Sequence, residues 1–193
     1  MSSTPMPGGD DAMSPTDATR PLPTVRRLER VSAAEIGDLA ELLIDCVAGG
    51  ASVSFMHPLS KEKATAFWSR VAVDVGAGGR ALFVAEDGQG IVGSVQLVLD
   101  LPENQPHRAD VSKMLVHRRA RKRGLGAALM VAAEAFARDA GRSLLVLDTA
   151  NPEAERLYAR LGWQLCGVIP RYALMPTGEP CATSYFYRDL GSA

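Results

Sequence analysis

Six consecutive residues, Arg121-Lys122-Arg123-Gly124-Leu125-Gly126, carry the groups that hold a phosphate. They follow a short apolar segment, Met114-Leu115-Val116, and run directly into a helical pattern. Glycines let the backbone approach a ligand closely, and the first amides of a helix are unpaired donors at its positive end. A diphosphate needs several converging N–H donors and nearby positive charge, and the backbone of Arg121 to Ala127 with its flanking cations offers both. The spacing does not suit other nucleotide sites. The loop lacks the G-K-[ST] ending of a P-loop, and Leu129 stands where a dinucleotide fingerprint needs its third glycine, so neither ATP nor NAD is expected. A different use of Arg118, Arg119, Arg121, Lys122 and Arg123 is a nucleic-acid patch, which leaves the two glycines without a purpose.

The surrounding pattern predicts the elements that position this loop. Thr24 to Arg30 reads as a first strand. Ser32-x-x-Glu35 is a capping box, opening a helix with Ile36, Leu39, Leu43 and Val47 on one face and Gly49-Gly50 at its end. A second helix begins near Ser60, with Ala64, Phe67, Trp68, Val71 and Val75 on its core face. Arg80 to Glu86 and Ile91 to Leu99 form a hairpin around Asp87-Gly88-Gln89-Gly90, and Ala109 to Val116 is a further strand. The helix after Gly124 buries Leu125, Leu129, Ala132, Phe136 and Ala140. Ser143 to Thr149 is an apolar strand, and Asn151-Pro152 caps a helix carrying Ala154, Leu157, Tyr158 and Leu161 on one face. Two strands, Trp163 to Ile169 and Ser184 to Leu190, complete a single mixed α/β sheet with helices on both faces.

Composition narrows the function. With 193 residues, 47% of them hydrophobic, the chain can bury one core, expected over residues 24–193. Residues 1–23, rich in Ser, Thr, Pro, Gly, Asp and Ala, read as a disordered leader. A net charge of −1 gives no global attraction to nucleic acid or to an anionic membrane. Cys46, Cys166 and Cys181 are odd in number and widely spaced, which favours a reducing cytoplasm over a disulfide framework. His57, His107 and His117 lack H-E-x-x-H spacing, and no metal is expected.

The R-x-x-G-x-G loop between a strand and a long helix, followed by Asn151 and by Tyr158-x-x-x-Gly162, resembles the GNAT superfamily of acetyl-CoA-dependent N-acetyltransferases. The resemblance covers about Arg80 to Leu190, and it implies a mostly antiparallel sheet of about seven strands flanked by helices. It implies that the amides of Arg121, Lys122, Arg123, Gly124, Leu125, Gly126 and Ala127 bind the pyrophosphate of coenzyme A. It also implies that Met114, Leu115 and Val116 lend main-chain hydrogen bonds to the pantetheine arm, through a splay from the Ser143 to Thr149 strand. Ordinary sheet pairing is the other use of that segment. Tyr158 matches the tyrosine that protonates the departing thiolate, and Asn151 a position that contacts the cofactor arm. On their own terms, Tyr158 is equally a core aromatic and Asn151 a helix cap.

A protonated amine must lose a proton before it attacks a thioester, and two carboxylates stand near the loop's strand and its neighbour: Asp110 and Asp148. Either is a candidate base, unless proximity alone supplies the acceleration. Gly49 to Met56, with Asp110, Lys113 to Val116, Leu147-Asp148-Thr149 and Tyr172…Pro176-x-Gly178, is similar to the toxin-resistance branch of this superfamily, which acetylates a β-lactam amino acid. That likeness makes Ser52, Val53, Phe55, Met56 and Tyr172 the expected acceptor contacts, with Phe55 and Met56 exposed. The expected partner is a small amine, with the chain a monomer or homodimer. A peptide acceptor, or an acyl-CoA-binding module without catalysis, is the competing function.

Overall fold

In the computed structural model, which describes residues 24–191, the Ser32 side chain accepts from the Glu35 amide, and the Glu35 carboxylate takes the Ser32 amide at 2.7 Å. This reciprocal cap opens α1 (Ala33–Ala48), after strand β1 (Thr24–Leu28). Ser60 caps α2 (Lys61–Gly76) more simply, its hydroxyl accepting from the Lys63 amide, and Trp68 on that helix is fully buried. The hairpin is β2 (Arg80–Asp87) with β3 (Gly90–Val98), followed by β4 (Arg108–Val116) and α3 (Leu125–Asp139). The chain closes with β5 (Leu144–Thr149), α4 (Pro152–Arg160), β6 (Gln164–Leu174) and β7 (Pro180–Asp189).

The seven strands form one sheet in the order β1-β2-β3-β4-β5-β7-β6, antiparallel except where β4 meets β5. Two cores cover its two faces. Leu39, Leu43, Trp68 and Val71 of α1 and α2 pack on Leu82, Val84 and Ile91, while Leu129, Met130 and Ala133 of α3 and Tyr158 of α4 pack on Phe83, Leu97 and Leu145. Apolar residues at helical spacing meet strand residues at alternate positions, so each helix buries its stripe against one side of the pleat.

Several boundaries differ from the sequence reading. β1 ends at Leu28 rather than Arg30, and Ala140, expected in the core, is exposed because α3 stops at Asp139 and Ala140 lies at its cap. The last two strands run well past their expected limits, to Leu174 and from Pro180. Pro170 has no ladder donor and Arg171 takes φ +54°, so the alternation breaks at Ile169 although pairing resumes at Ala173–Cys181. An edge strand tolerates that break. The expected leader, residues 1–23, lies outside the described residues. Among the described residues, no helix is long and apolar enough to cross a membrane.

Candidate active site

The proposed phosphate loop is a sharp passage from sheet to helix. The His117 amide still pairs with the Val92 carbonyl at 2.8 Å, after which Arg118–Ala120 forms a 3-10 turn. Lys122 and Gly124 then take positive φ, +61° and +77°. At Gly124 that conformation favours glycine. The first bond into α3 runs from the Ala128 amide to the Gly124 carbonyl, so the amides of Leu125, Gly126 and Ala127 have no partner within the helix. Gly126 has a packing role as well: a Cβ there would lie 2.9 Å from Leu157 Cδ2, so the glycine lets that side chain of α4 rest against the start of α3.

The cations of this segment divide their work. Arg118 holds Asp45 at the end of α1 through its amide (2.9 Å) and its Nε (2.8 Å), and Arg119 pairs with Asp87 at 3.2 Å. Arg121 turns its Nε onto the Val116 carbonyl at 3.3 Å. These three side chains brace the turn, which leaves little of a nucleic-acid patch, while Lys122 is exposed beside the amides. Burial raises the Asp45 carboxyl, but the Arg118 hydrogen bonds outweigh it and hold it below the ordinary aspartate value. Asp45→Asn is therefore expected to cost about 1–2 kcal/mol near neutral pH. A carboxylate with a lowered folded pKa stabilises above its unfolded value and loses that effect as pH falls through the folded one. Urea unfolding should thus show the gap between variant and parent closing on acidification; a gap independent of pH would contradict this role.

Beside the loop, the sheet parts. β4 and β5 pair only through Arg108–Leu144, Ala109–Leu145 and Asp110–Val146, and beyond these the strands separate. A β-bulge in β4, where Val95 faces both Lys113 and Met114, increases the divergence. The opening is a cavity of about 510 Å³ lined by Met114, Leu115, Val116, Arg121, Lys122, Gly124 to Ala127, Asn151 and Tyr158. Tyr158, 4% exposed, is wedged against Trp163 and Phe186 with ring centroids 5.9 Å away in each case. Burial, with the charge of Asp148 added, pushes its phenol well above the ordinary tyrosine value, so it stays protonated.

A second cavity of about 310 Å³ adjoins the first and is lined by Ser52, Phe55, Met56, Tyr172 and Leu174. Ser52, Ser54 and Asp148 line both, so Asp148 stands where the two spaces meet. Burial raises the Asp148 carboxyl above the ordinary aspartate value, against the pull of Lys113 and with a further push from Asp110. The Gly49–Met56 segment is tied across the pocket: Ser52 Oγ donates to the Leu174 carbonyl at 3.2 Å, and the His57 amide to the Pro176 carbonyl at 3.0 Å.

Most residues singled out by sequence thus converge on these two spaces, and some do not. Asp110 lies on the same sheet face as Asp148 but lines neither cavity, and its carboxylate is held by Arg108 at 2.8 Å. Arg123 also lies outside both linings. Val53 lines the first space rather than the second, and Phe55, expected to be exposed, is half-buried edge-on to Phe67 at 5.3 Å, while Met56 remains 43% exposed. Asn151 caps α4 by accepting from the Glu153 amide at 2.8 Å and also lines the first cavity. Sequence reasoning placed Lys113 and Ser54 only within matched segments, without a role, and did not single out Tyr185, which lines neither cavity. Lys113 left a signal, as a lone cation in an otherwise apolar strand end. Tyr185 left little, since its partner Tyr172, bonded to it at 2.7 Å, comes from another strand. Among the described residues, no cluster of His, Cys, Asp or Glu could hold a metal ion.

A sheet parted beside a glycine-turned helix start, with a buried tyrosine and a carboxylate lining the gap, is an arrangement suited to an acyltransferase site. Residues 78–165 match the acetyltransferase (GNAT) domain model. An uncharacterized N-acetyltransferase of Azospirillum brasilense, from the hisH-hisA intergenic region, is 33% identical over 132 residues, covering 67% of this chain and 77% of that protein. The fold matches a phosphinothricin acetyltransferase of Sinorhizobium meliloti solved with acetyl-CoA (TM-score 0.74, 21% identity, 88% of this chain and 89% of that one). It also matches YncA of Salmonella typhimurium, solved with its cofactor acetyl-CoA (TM-score 0.71, 18% identity, 89% and 95%). The chain belongs to the GNAT acetyltransferase family and is an acyltransferase.

Proposed function

We propose that this enzyme is an acetyl-CoA-dependent N-acetyltransferase that moves the acetyl group by direct attack onto a primary amine of a small amino-acid-like metabolite, toxin or antibiotic. The observation that carries the reading is the meeting of the two cavities at Asp148, one shaped for the donor and one for the acceptor. The amides of Leu125 to Ala127 would bind the diphosphate, with Lys122 adding charge. The freed edge of β4 at Met114 to Val116 would pair with the pantetheine arm. Asp148, directly or through a water, takes the proton that the amine must lose; the new C–N bond forms as the C–S bond breaks, and Tyr158 gives its proton to the departing thiolate.

The finer likeness, to the tabtoxin-resistance acetyltransferase, is supported by the Gly49–Met56 segment forming a wall of the second cavity, although the acceptor here need not be that toxin. The small size of that cavity and the two hydrogen bonds across it, from the Ser52 hydroxyl and the His57 amide, favour a small molecule over a peptide. Free Cys46, Cys166 and Cys181 support a reducing, cytoplasmic setting. Titration calorimetry with acetyl-CoA tests the reading first: saturable binding is expected, and no heat at millimolar ligand would remove it. Thiol release measured with free amino acids against peptides then separates the two acceptor classes.

A further inference from the structure

Lys113 is aimed by a backbone irregularity. Val111 faces the α3 core, so plain alternation would send Ser112 to the α2 side and Lys113 back toward α3. The bulge prevents this. Lys113 takes φ +49°, its carbonyl is held by the Ser94 hydroxyl at 3.0 Å, and its side chain emerges on the same side as α2, beside the junction of the two cavities. A non-glycine residue in that region costs on the order of 1 kcal/mol and persists only where its surroundings impose it.

The groups within reach of its Nζ are neutral: Ser54 Oγ at 3.4 Å and the Phe67 ring, whose centroid is 5.5 Å away. Asp148 acts on it only through longer-range attraction. The nearby cation Arg80, held by Asp74 at 2.8 Å and Gln96 at 3.0 Å, adds only repulsion to Lys113. Burial pushes the Lys113 ammonium below its ordinary pKa, outweighing the opposing attraction of Asp148. A desolvated charge is stabilised by an opposite charge, and Ser54, which the lysine touches, lines the acceptor cavity.

We propose that Lys113 is the carboxylate subsite of the acceptor pocket, so that the acceptor is a free amino acid held by its carboxylate at Lys113 with its amine turned toward Asp148. This rests on the amine-acceptor reading above and narrows it. Lys113 and Asp148 both line the first cavity, and Asp148 and the Ser54 that the lysine touches also line the second, so a cation and an anion stand at the junction and match the two ends of a zwitterion, whereas an amine lacking the carboxylate leaves Lys113 unpaired.

The experiment compares thiol release for a panel of free L-amino acids, each beside its methyl ester and its decarboxylated amine, using the full chain, Lys113→Met and Lys113→Arg. The parent is expected to prefer free acids by about tenfold or more, and Lys113→Met to lose at least about 30-fold in kcat/KM on the free acid but under about threefold on the ester. Lys113→Arg should keep most of the preference, and acetyl-CoA Kd for Lys113→Met, by calorimetry, should match the parent. An equal loss on acid and ester, or a parent that prefers esters, overturns the subsite while leaving the transferase reading intact. Acetyl-CoA binding without acetylation of any panel member overturns both.

Discussion

Tyr158→Phe is expected to lower kcat by about 100-fold or more while changing the acetyl-CoA Kd by less than about twofold. The substitution removes one oxygen and keeps the ring, which is what Trp163 and Phe186 pack against, so the fold and the donor cavity should persist. What is lost is the proton for the leaving thiolate. A thiol of pKa near ~8.5 leaves tolerably without help, so activity should fall rather than vanish. Because burial raises the phenol's pKa, the parent should show no loss of activity near neutral pH from its ionisation. Steady-state kinetics by thiol release with calorimetry on the same samples checks this; weaker donor binding with kcat unchanged would instead make Tyr158 a packing residue.

Asp148→Asn carries the second large effect, a fall of about 100-fold or more in kcat/KM at neutral pH. The base must be ionised to accept a proton. Since burial raises the Asp148 pKa, the parent's kcat/KM should decline on acidification at a pH above the ordinary aspartate range, and the asparagine variant should lack that limb. Asp110→Asn is the comparison. Arg108 already holds that carboxylate, and it lines neither cavity, so its loss should cost less than about tenfold, acting through the Asp148 field and the sheet. If Asp110→Asn abolishes the limb and Asp148→Asn does not, the roles are reversed.

How far the sequence reaches depends on whether a feature is local. The Ser32–Glu35 cap, the Asn151 cap, the start of α2 near Ser60 and the hairpin around Gly88 are each specified within a few residues, and the structure reproduces them. The Gly124-x-Gly126 loop is legible for the same reason. Asp110 and Asp148 looked equivalent because both lie on strands near the loop; only three-dimensional pairing shows that Arg108 occupies one and that two cavities meet at the other. Lys113 was illegible in its role, since a bulge opposite Val95 decides which face it joins, and no residue near it in sequence announces the bulge. The length of β6 was hidden by Pro170 and Arg171, where local chemistry reads as a stop and the partner strand overrides it.

The strip Arg108–Asp110 against Leu144–Val146 has a mechanical meaning. Among the described residues it is the only ladder joining the four strands that carry the Arg121–Gly126 loop and Lys113 to the three that carry Asp148, with α4 and Tyr158 on the second side. Side-chain bridges sit at either end of that division: Leu157 against Gly126 near the donor, and Trp163 Nε1 to Glu134 at 2.8 Å, farther back. The charged groups of the site are thus divided between two parts of one sheet, which the core beneath α3 also joins. The spacing of Lys113 and Asp148 therefore rests on Ala109 and Leu145, which are fully buried in that strip and line neither cavity.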